Sequence, residues 1–220
     1  MGVKSKRRVA EYGEVFTSER EVKAMLDLVK PETERIDSRF LEPACGDGNF
    51  LIEILRRKLE VIEARYKKSR LEFERYCVVG IGAIYGVELL EDNVIECRKR
   101  LFDCFNEKYS SLFKNNAPEA FRDTIRFILK RNILWGDALT LKRVDGTDAP
   151  IVFSEWSLVH GNKIKRRDYS MAHLLRCSPV QGPHLCSDLG EEAFIPVSVA
   201  KFPMMHYLKL REASHASCEL

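Results

Sequence analysis

The stretch Phe40-Leu41-Glu42-Pro43-Ala44-Cys45-Gly46-Asp47-Gly48-Asn49-Phe50-Leu51 compresses a strand end, a glycine turn and a helix start into twelve residues. Phe40 and Leu41 are a short apolar strand end, and Pro43, which has no N–H to donate, stops the ladder. Gly46 and Gly48 carry no Cβ, so the backbone there can press against a ligand before a helix begins. Phe50, Leu51, Ile54, Leu55, Leu59 and Ile62 then recur at helical spacing. A strand, a glycine turn and a helix in that order predict a nucleotide-type loop.

The residues that are missing narrow the ligand. A dinucleotide fingerprint needs a third glycine where Leu51 stands, and a P-loop needs a Gly-Lys-Ser/Thr step that the chain lacks. Glu42 at the strand end repels a pyrophosphate but suits a ligand carrying an ammonium and a sulfonium, as S-adenosylmethionine does. A lone Gly-x-Gly also fits a plain surface turn, so the context has to decide.

Composition permits one large α/β domain, or a domain with an appendage. The 220 residues are 45% hydrophobic, enough for a core, and their 36 basic and 33 acidic side chains leave a net charge of only +3. Any nucleic-acid surface must therefore be local. The seven cysteines (Cys45, Cys77, Cys97, Cys104, Cys177, Cys186 and Cys218) show no Cys-x-x-Cys spacing, which favours reduced thiols over a disulfide framework or a metal knuckle. No metal site is expected. With no signal-type apolar segment and no run of 18 apolar residues, the expected setting is cytoplasmic, without a membrane partner.

Residues 1 to 12 hold Lys4, Lys6, Arg7 and Arg8 without apolar periodicity and read as a mobile basic arm. Ser18 with Glu21 three residues on is a capping box, and Val22, Met25, Leu26 and Val29 follow at helical spacing until Pro31. The alternating charges from Glu60 to Arg75 read as a long exposed helix or an insertion. A second strand, Ile84 to Glu88, precedes a helix carrying Val94, Cys97, Leu101 and Phe105; Tyr109 to Ala117 reads as a polar loop. Pro118 opens a helix with Phe121, Ile125, Ile128 and Leu129, and Asn132 to Trp135 is a third strand running into Gly136-Asp137-Ala138-Leu139. Ile151 to Phe153 is expected as a fourth strand after the Asp145-Gly146 turn. Such alternation predicts a mostly parallel sheet with helices on both faces and ligands outside the strands' carboxyl ends. Beyond Ser154 the pattern degrades, with a basic run from Lys163 to Arg167, one or two helical turns at Met171 to Leu175 and a strand at Ala193 to Val199, and residues 158–220 read as a tail.

Three acids, Glu42, Glu88 and Asp137, end successive strands. An acid after the second strand can accept from both ribose hydroxyls, and one after the third can take an adenine amine while the Ala138 N–H meets a ring nitrogen. Each acid alone also fits a helix N-cap.

With these motifs in place, the chain resembles the adenine-specific (N6) DNA methyltransferases of restriction-modification systems. Gly13 to Thr17 is similar to that family's N-terminal cofactor motif, Leu41 to Leu51 to its glycine motif, Tyr85 to Glu88 to its ribose motif and Trp135 to Leu139 to its adenine motif. The resemblance covers about residues 10 to 155. It implies a Rossmann-like S-adenosylmethionine-dependent methyltransferase fold over 13–157, with cofactor contacts at Phe16, Thr17, Glu42, Ala44, Gly46, Gly48, Asn49, Phe50, Glu88, Leu89, Asp137 and Ala138. The family's Asp/Asn/Ser-Pro-Pro-Tyr/Phe motif is replaced by Ser154-Glu155-Trp156-Ser157. Ser154 offers one acceptor for the target amine and Trp156 a ring to stack on a flipped base, or a core aromatic instead. Lys163, Lys165, Arg166 and Arg167 are either phosphate contacts or a solvated loop. The implied activity is DNA adenine N6-methylation, weak or dependent on a partner subunit; the alternative is a noncatalytic subunit that binds the cofactor.

Overall fold

A computed structural model describes residues 6–15, 17–114, 118–176 and 197–212. The chain is a mixed α/β protein with parallel and antiparallel strands. Strands β1 (Phe40–Glu42), β2 (Ile84–Glu88) and β3 (Ile133–Asp137) are parallel neighbours in that order, with Phe40 opposite Ile84 and Gly86 opposite Ile133. Strand β4 (Lys142–Arg143) returns antiparallel to β3. A second sheet, wholly antiparallel, contains β5 (Val152–His160), β6 (Lys163–Ser170), β7 (Ala200–Lys201) and β8 (Met205–His206).

Helices α1 (Lys6–Tyr12), α2 (Glu19–Asp27) and α3 (Lys30–Thr33) precede β1. The Ser18 capping box is present: the Glu21 N–H donates to Ser18 Oγ at 3.4 Å and the Ser18 N–H to Glu21 Oε2 at 3.1 Å. Pro31 does not close the segment as expected; it occupies the first turn of α3, where its missing N–H costs nothing. Residues 6 to 12 form a helix in place of the expected mobile arm, tied down by Arg8, which pairs with Glu14 and Asp92 at 2.8 and 2.6 Å.

Helices α4 (Asn49–Tyr66), α5 (Arg70–Gly82), α6 (Glu91–Phe113) and α7 (Glu119–Asn132) build the main core with Ile84 and Ile133 of the sheet. The opposite face, Tyr85, Val87 and Leu134, packs on Ile151, Phe153 and Met171, the last opening the short helix α8 (Met171–Arg176). A chain that advances one strand at a time in one direction keeps its crossover helices on one face when each crossover has the usual right hand. That accounts for the departure from long helices on both faces. The fourth parallel strand is also absent among the described residues: from Ile151 the chain enters β5, whose partner is β6.

The run from Glu60 to Arg75 is two helices, broken at 67–69, and α5 buries Phe73, Cys77, Val78 and Ile81. Tyr109 lies inside α6, fully buried within a cluster of Phe73, Phe105, Phe113 and Phe121, so the expected polar loop is a helix to Phe113. The hydroxyls of Tyr109 and Tyr207 both donate to the buried carboxylate of Glu74. Burial and that carboxylate push both phenols well above their ordinary range. Lys58, 0% exposed, donates to the carbonyls of Arg35, Ile36 and Ser38 at 2.7 to 2.9 Å and so fixes the approach to β1. Burial lowers its ammonium to about 8.

The division expected at 157/158 falls inside β5, and the later chain belongs to the same core through Ile164, Tyr207 and Leu210. The helix expected at Met171 to Leu175 is present as α8. The strand expected at Ala193 to Val199 lies mostly outside the described residues; the observed one is β7. No helix of the described chain is long and apolar enough to cross a membrane.

Candidate functional site

A cleft of about 580 Å³ opens at the carboxyl ends of β1, β2 and β3, within the usual range of about 300 to 1,000 Å³ for small-molecule sites. Parallel strands end on one edge, so the acid that closes each strand reaches the same cleft: Glu42, Glu88 and Asp137 all line it.

The glycine loop forms the floor. The Cys45 N–H donates to the Val87 carbonyl at 3.0 Å, pinning the loop to β2. Gly46 adopts a φ of 53°, which favours glycine, and its N–H donates to Glu88 Oε2 at 2.8 Å. Gly48, at a φ of 96°, does not line the cleft, which corrects its expected cofactor contact. A Cβ there would meet Cys97 Sγ at 2.7 Å, so this glycine lets the start of α4 pack on α6. Arg100 holds the loop from outside: it pairs with Asp47 at 2.8 Å and donates to Asn49 Oδ1 at 3.0 Å, while Asn49 Nδ2 donates to the Thr17 carbonyl at 3.1 Å.

Each acid has a distinct setting. Glu88 Oε1 accepts from the Leu90 N–H at 3.0 Å and from Asn93 Nδ2 at 3.4 Å, so the carboxylate also serves the first turn of α6. Asn93 reaches on to Glu14 Oε1 at 2.6 Å, linking the N-terminal segment to the same group. Asp137 Oδ1 accepts from the Leu139 N–H at 2.8 Å, which shapes the turn after β3. Burial pushes the Glu42 carboxyl above its ordinary value, against a smaller opposite effect of the Ala44 N–H. Among the described residues the wall carries five acids, Glu14, Glu42, Asp47, Glu88 and Asp137, and no lysine or arginine. Arg8 and Arg100 neutralise Glu14 and Asp47 from outside, leaving the three strand-end acids to set the field.

Of the residues expected to touch a cofactor, Thr17, Glu42, Ala44, Gly46, Asn49, Phe50, Glu88, Leu89, Asp137 and Ala138 share this cleft. Phe16 lies outside the described residues. Tyr12, Glu14, Asn93 and Arg100 belong to the site or its support and escaped the sequence reading. Glu14 stood within a quoted motif, but nothing in the spacing marks Arg100, three residues past Cys97 on α6.

Ser154 and Trp156 are elsewhere. The Ser154 N–H donates to Oδ1 of Asn132, which precedes β3, and Trp156 packs against Gly82, which precedes β2. Both therefore sit at the amino edge of the parallel sheet, about 16 Å along a five-residue strand from the acids. Ser154 is 0% exposed and hydrogen-bonds Asp168 at 2.8 Å; Trp156 is 5% exposed and meets Phe127 edge-on. The reading of Ser154 as acceptor and Trp156 as stacking ring is thus corrected: the strand continues past Phe153 in the direction that leads away from the cleft.

The basic run is corrected in part. Lys163 to Arg167 belongs to β6 and alternates, so Lys163, Lys165 and Arg167 share one side while Arg166 points inward at 6% exposure. Arg166 pairs with the buried Asp168 at 2.6 Å and lies 3.8 Å from the Phe202 ring centroid. Arg167 pairs with Glu155 at 2.9 Å.

The fold is mixed α/β, with an acidic cleft at the carboxyl edge of three parallel strands. No protein-family model, curated protein or solved structure matches the chain.

Proposed function

We propose that the chain is the cofactor-binding part of a Rossmann-like, S-adenosylmethionine-dependent methyltransferase of the DNA adenine N6 class. The observation that carries the reading is the convergence of Glu42, Glu88 and Asp137 with the glycine loop on one cleft that holds no basic side chain among the described residues. Such a wall suits a ligand whose reactive centre is cationic and disfavours a polyphosphate. In this reading Glu88 takes the ribose hydroxyls with the acceptor capacity left beside Gly46 and Leu90, Asp137 and the Ala138 N–H take the adenine, and Glu42 faces the cationic end. The cofactor supplies an electrophilic methyl group; the residues named here bind and orient it.

The four motifs at Gly13 to Thr17, Leu41 to Leu51, Tyr85 to Glu88 and Trp135 to Leu139 support DNA as the substrate. Methyl transfer to an amine needs positioned acceptors at the carboxyl edge, and Ser154 and Trp156 are buried at the other edge. That observation favours the second reading, a noncatalytic subunit that binds the cofactor, or an enzyme whose acceptor groups and DNA recognition come from a partner.

Calorimetric titration with S-adenosylmethionine and S-adenosylhomocysteine tests the binding claim. Saturable one-to-one binding of both is expected; absence of heat with the wild-type chain sinks it. Transfer of labelled methyl to mixed-sequence DNA, by the chain alone and with added partner proteins, then separates the two readings.

A further inference from the structure

We propose that a second cavity, at the amino edge of the parallel sheet, is a binding site for a nucleoside 5′-phosphate, either free or as the phosphorylated end of a nucleic-acid strand. This does not rest on the cofactor reading. The cavity is about 650 Å³ and lies between the 35–39 segment, the end of α4, α5 and β5.

Three features meet there. Arg35, Arg39 and Arg65 outnumber the two acids on the wall, Asp37 and Glu155. Arg39 pairs with Glu155, and Arg35 with Glu32 at 3.4 Å and Asp37 at 3.7 Å, but Arg65 has no ion pair or hydrogen bond among the described residues and is the guanidinium left for an anion. Tyr66 and Tyr76 stack with centroids 3.9 Å apart and planes 7° apart, and both line the cavity. Trp156, also on the wall and 5% exposed, keeps its Nε1–H buried without an acceptor among the described residues.

The Trp156 indole lines the same cavity, so its emission reports what occupies that volume. Guanidinium groups match the planar fork of a phosphate, and stacked tyrosines offer a face to a planar ring. A nucleoside phosphate supplies both complements: an anion for the arginines and a ring for the tyrosines. The acidic cleft at the other edge has the opposite charge, so one phosphorylated ligand does not suit both.

Trp135 and Trp156 are the two tryptophans of the chain. In Trp135→Phe, fluorescence therefore reports Trp156 alone. Titration of that chain with AMP is expected to give a saturable change in emission, weakened about tenfold or more by Arg65→Glu and unaffected by Glu88→Gln. Adenosine and inorganic phosphate should each bind more weakly than AMP. A 5′-phosphorylated dinucleotide binding as tightly as AMP identifies a strand end as the source; tighter binding of AMP identifies the free nucleotide. The proposal is overturned by no saturable change at millimolar AMP, by adenosine binding as well as AMP, or by loss of binding in Glu88→Gln but not Arg65→Glu. If Trp135→Phe does not fold, calorimetry with AMP on the otherwise wild-type chain and its variant Arg65→Glu decides: AMP heat weakened by Arg65→Glu supports the site, and heat unchanged by it, or none, overturns the proposal.

Discussion

The two sheets handle charge in opposite ways. In the parallel sheet the strand interiors are apolar and each carboxylate stands at a strand end, on the wall of a cleft. In the antiparallel sheet a charged pair, Arg166 and Asp168, is buried in the middle of β6. Asp168 is saturated by its neighbours: it accepts from Ser154 Oγ, from Arg166 Nε and Nη2 and from Arg131 Nη2, all within 2.6 to 2.9 Å. The first set of charges faces a cleft; the second is consumed by the fold. The position of a charge along a strand therefore says more about its use than its identity does.

Cutting the buried pair tests this contrast most severely. Asp168→Ala leaves the Arg166 guanidinium buried without its carboxylate, and losing one partner of such a pair costs about 3 to 5 kcal/mol. Urea denaturation should show a loss of that size. Replacing the pair together with the buried hydroxyl that bonds it, Arg166→Met with Asp168→Leu and Ser154→Ala, should recover part of it, since apolar residues avoid the desolvation cost while Arg131 still loses its carboxylate. Equal stability of Asp168→Ala and wild type would remove the distinction between the sheets.

The strand-end acids should behave differently, with the effect on ligand affinity. Glu88→Ala removes a charged acceptor, worth about 1.5 to 3 kcal/mol, or roughly ten- to hundredfold in affinity for S-adenosylmethionine by calorimetry. Because Glu88 also accepts from Gly46 and Leu90, some stability should be lost as well. A variant that loses stability but binds normally would make Glu88 a cap and nothing more. Asp137→Ala carries the same question at smaller size. Loss of its turn-forming bond to the Leu139 N–H predicts about 1 kcal/mol of thermal stability, and a ligand role predicts weaker adenosine binding with methionine binding unchanged.

What could be read in advance follows the same line. Glu42, Glu88 and Asp137 were legible as a set: each alone fits a helix N-cap, but three short apolar runs that each end in an acid place all three on one edge of a parallel sheet. Arg166 and Asp168 were not, because a basic run on a strand looks solvated until its alternation is matched to a partner strand. The turn at Gly161, with a φ of 53°, returns the chain to make that partner and turns an expected fourth parallel strand into a hairpin. Tyr109 and Glu74 misled for a related reason: each is polar by type, and the hydrogen bonds Glu74 accepts from Tyr109 and Tyr207, with its ion pair to Arg70, make their burial affordable. Trp156 was readable either way from the sequence, and only its packing on Gly82 and Phe127 decides for the core.

The smallest effect is the most specific to the acidic cleft, and it concerns Glu42. Burial raises the folded-state pKa of this carboxyl above its ordinary 4.5. Between the unfolded value and the raised one, the native chain holds more protons than the unfolded chain, so its stability from this residue rises as the pH falls through that window. Affinity for a cationic ligand has the opposite sign, because protonation removes the negative charge that attracts it. Acidification should therefore stabilise the empty chain at this residue while weakening S-adenosylmethionine binding, by about tenfold at most for each pH unit, the limit for one titrating group. Glu42→Gln should flatten both trends, leaving binding at neutral pH weaker and nearly independent of pH in that range. Binding isotherms across the acid range check this; the same pH slope in Glu42→Gln as in wild type would move the cation-facing role away from Glu42, to Glu88 or Asp137.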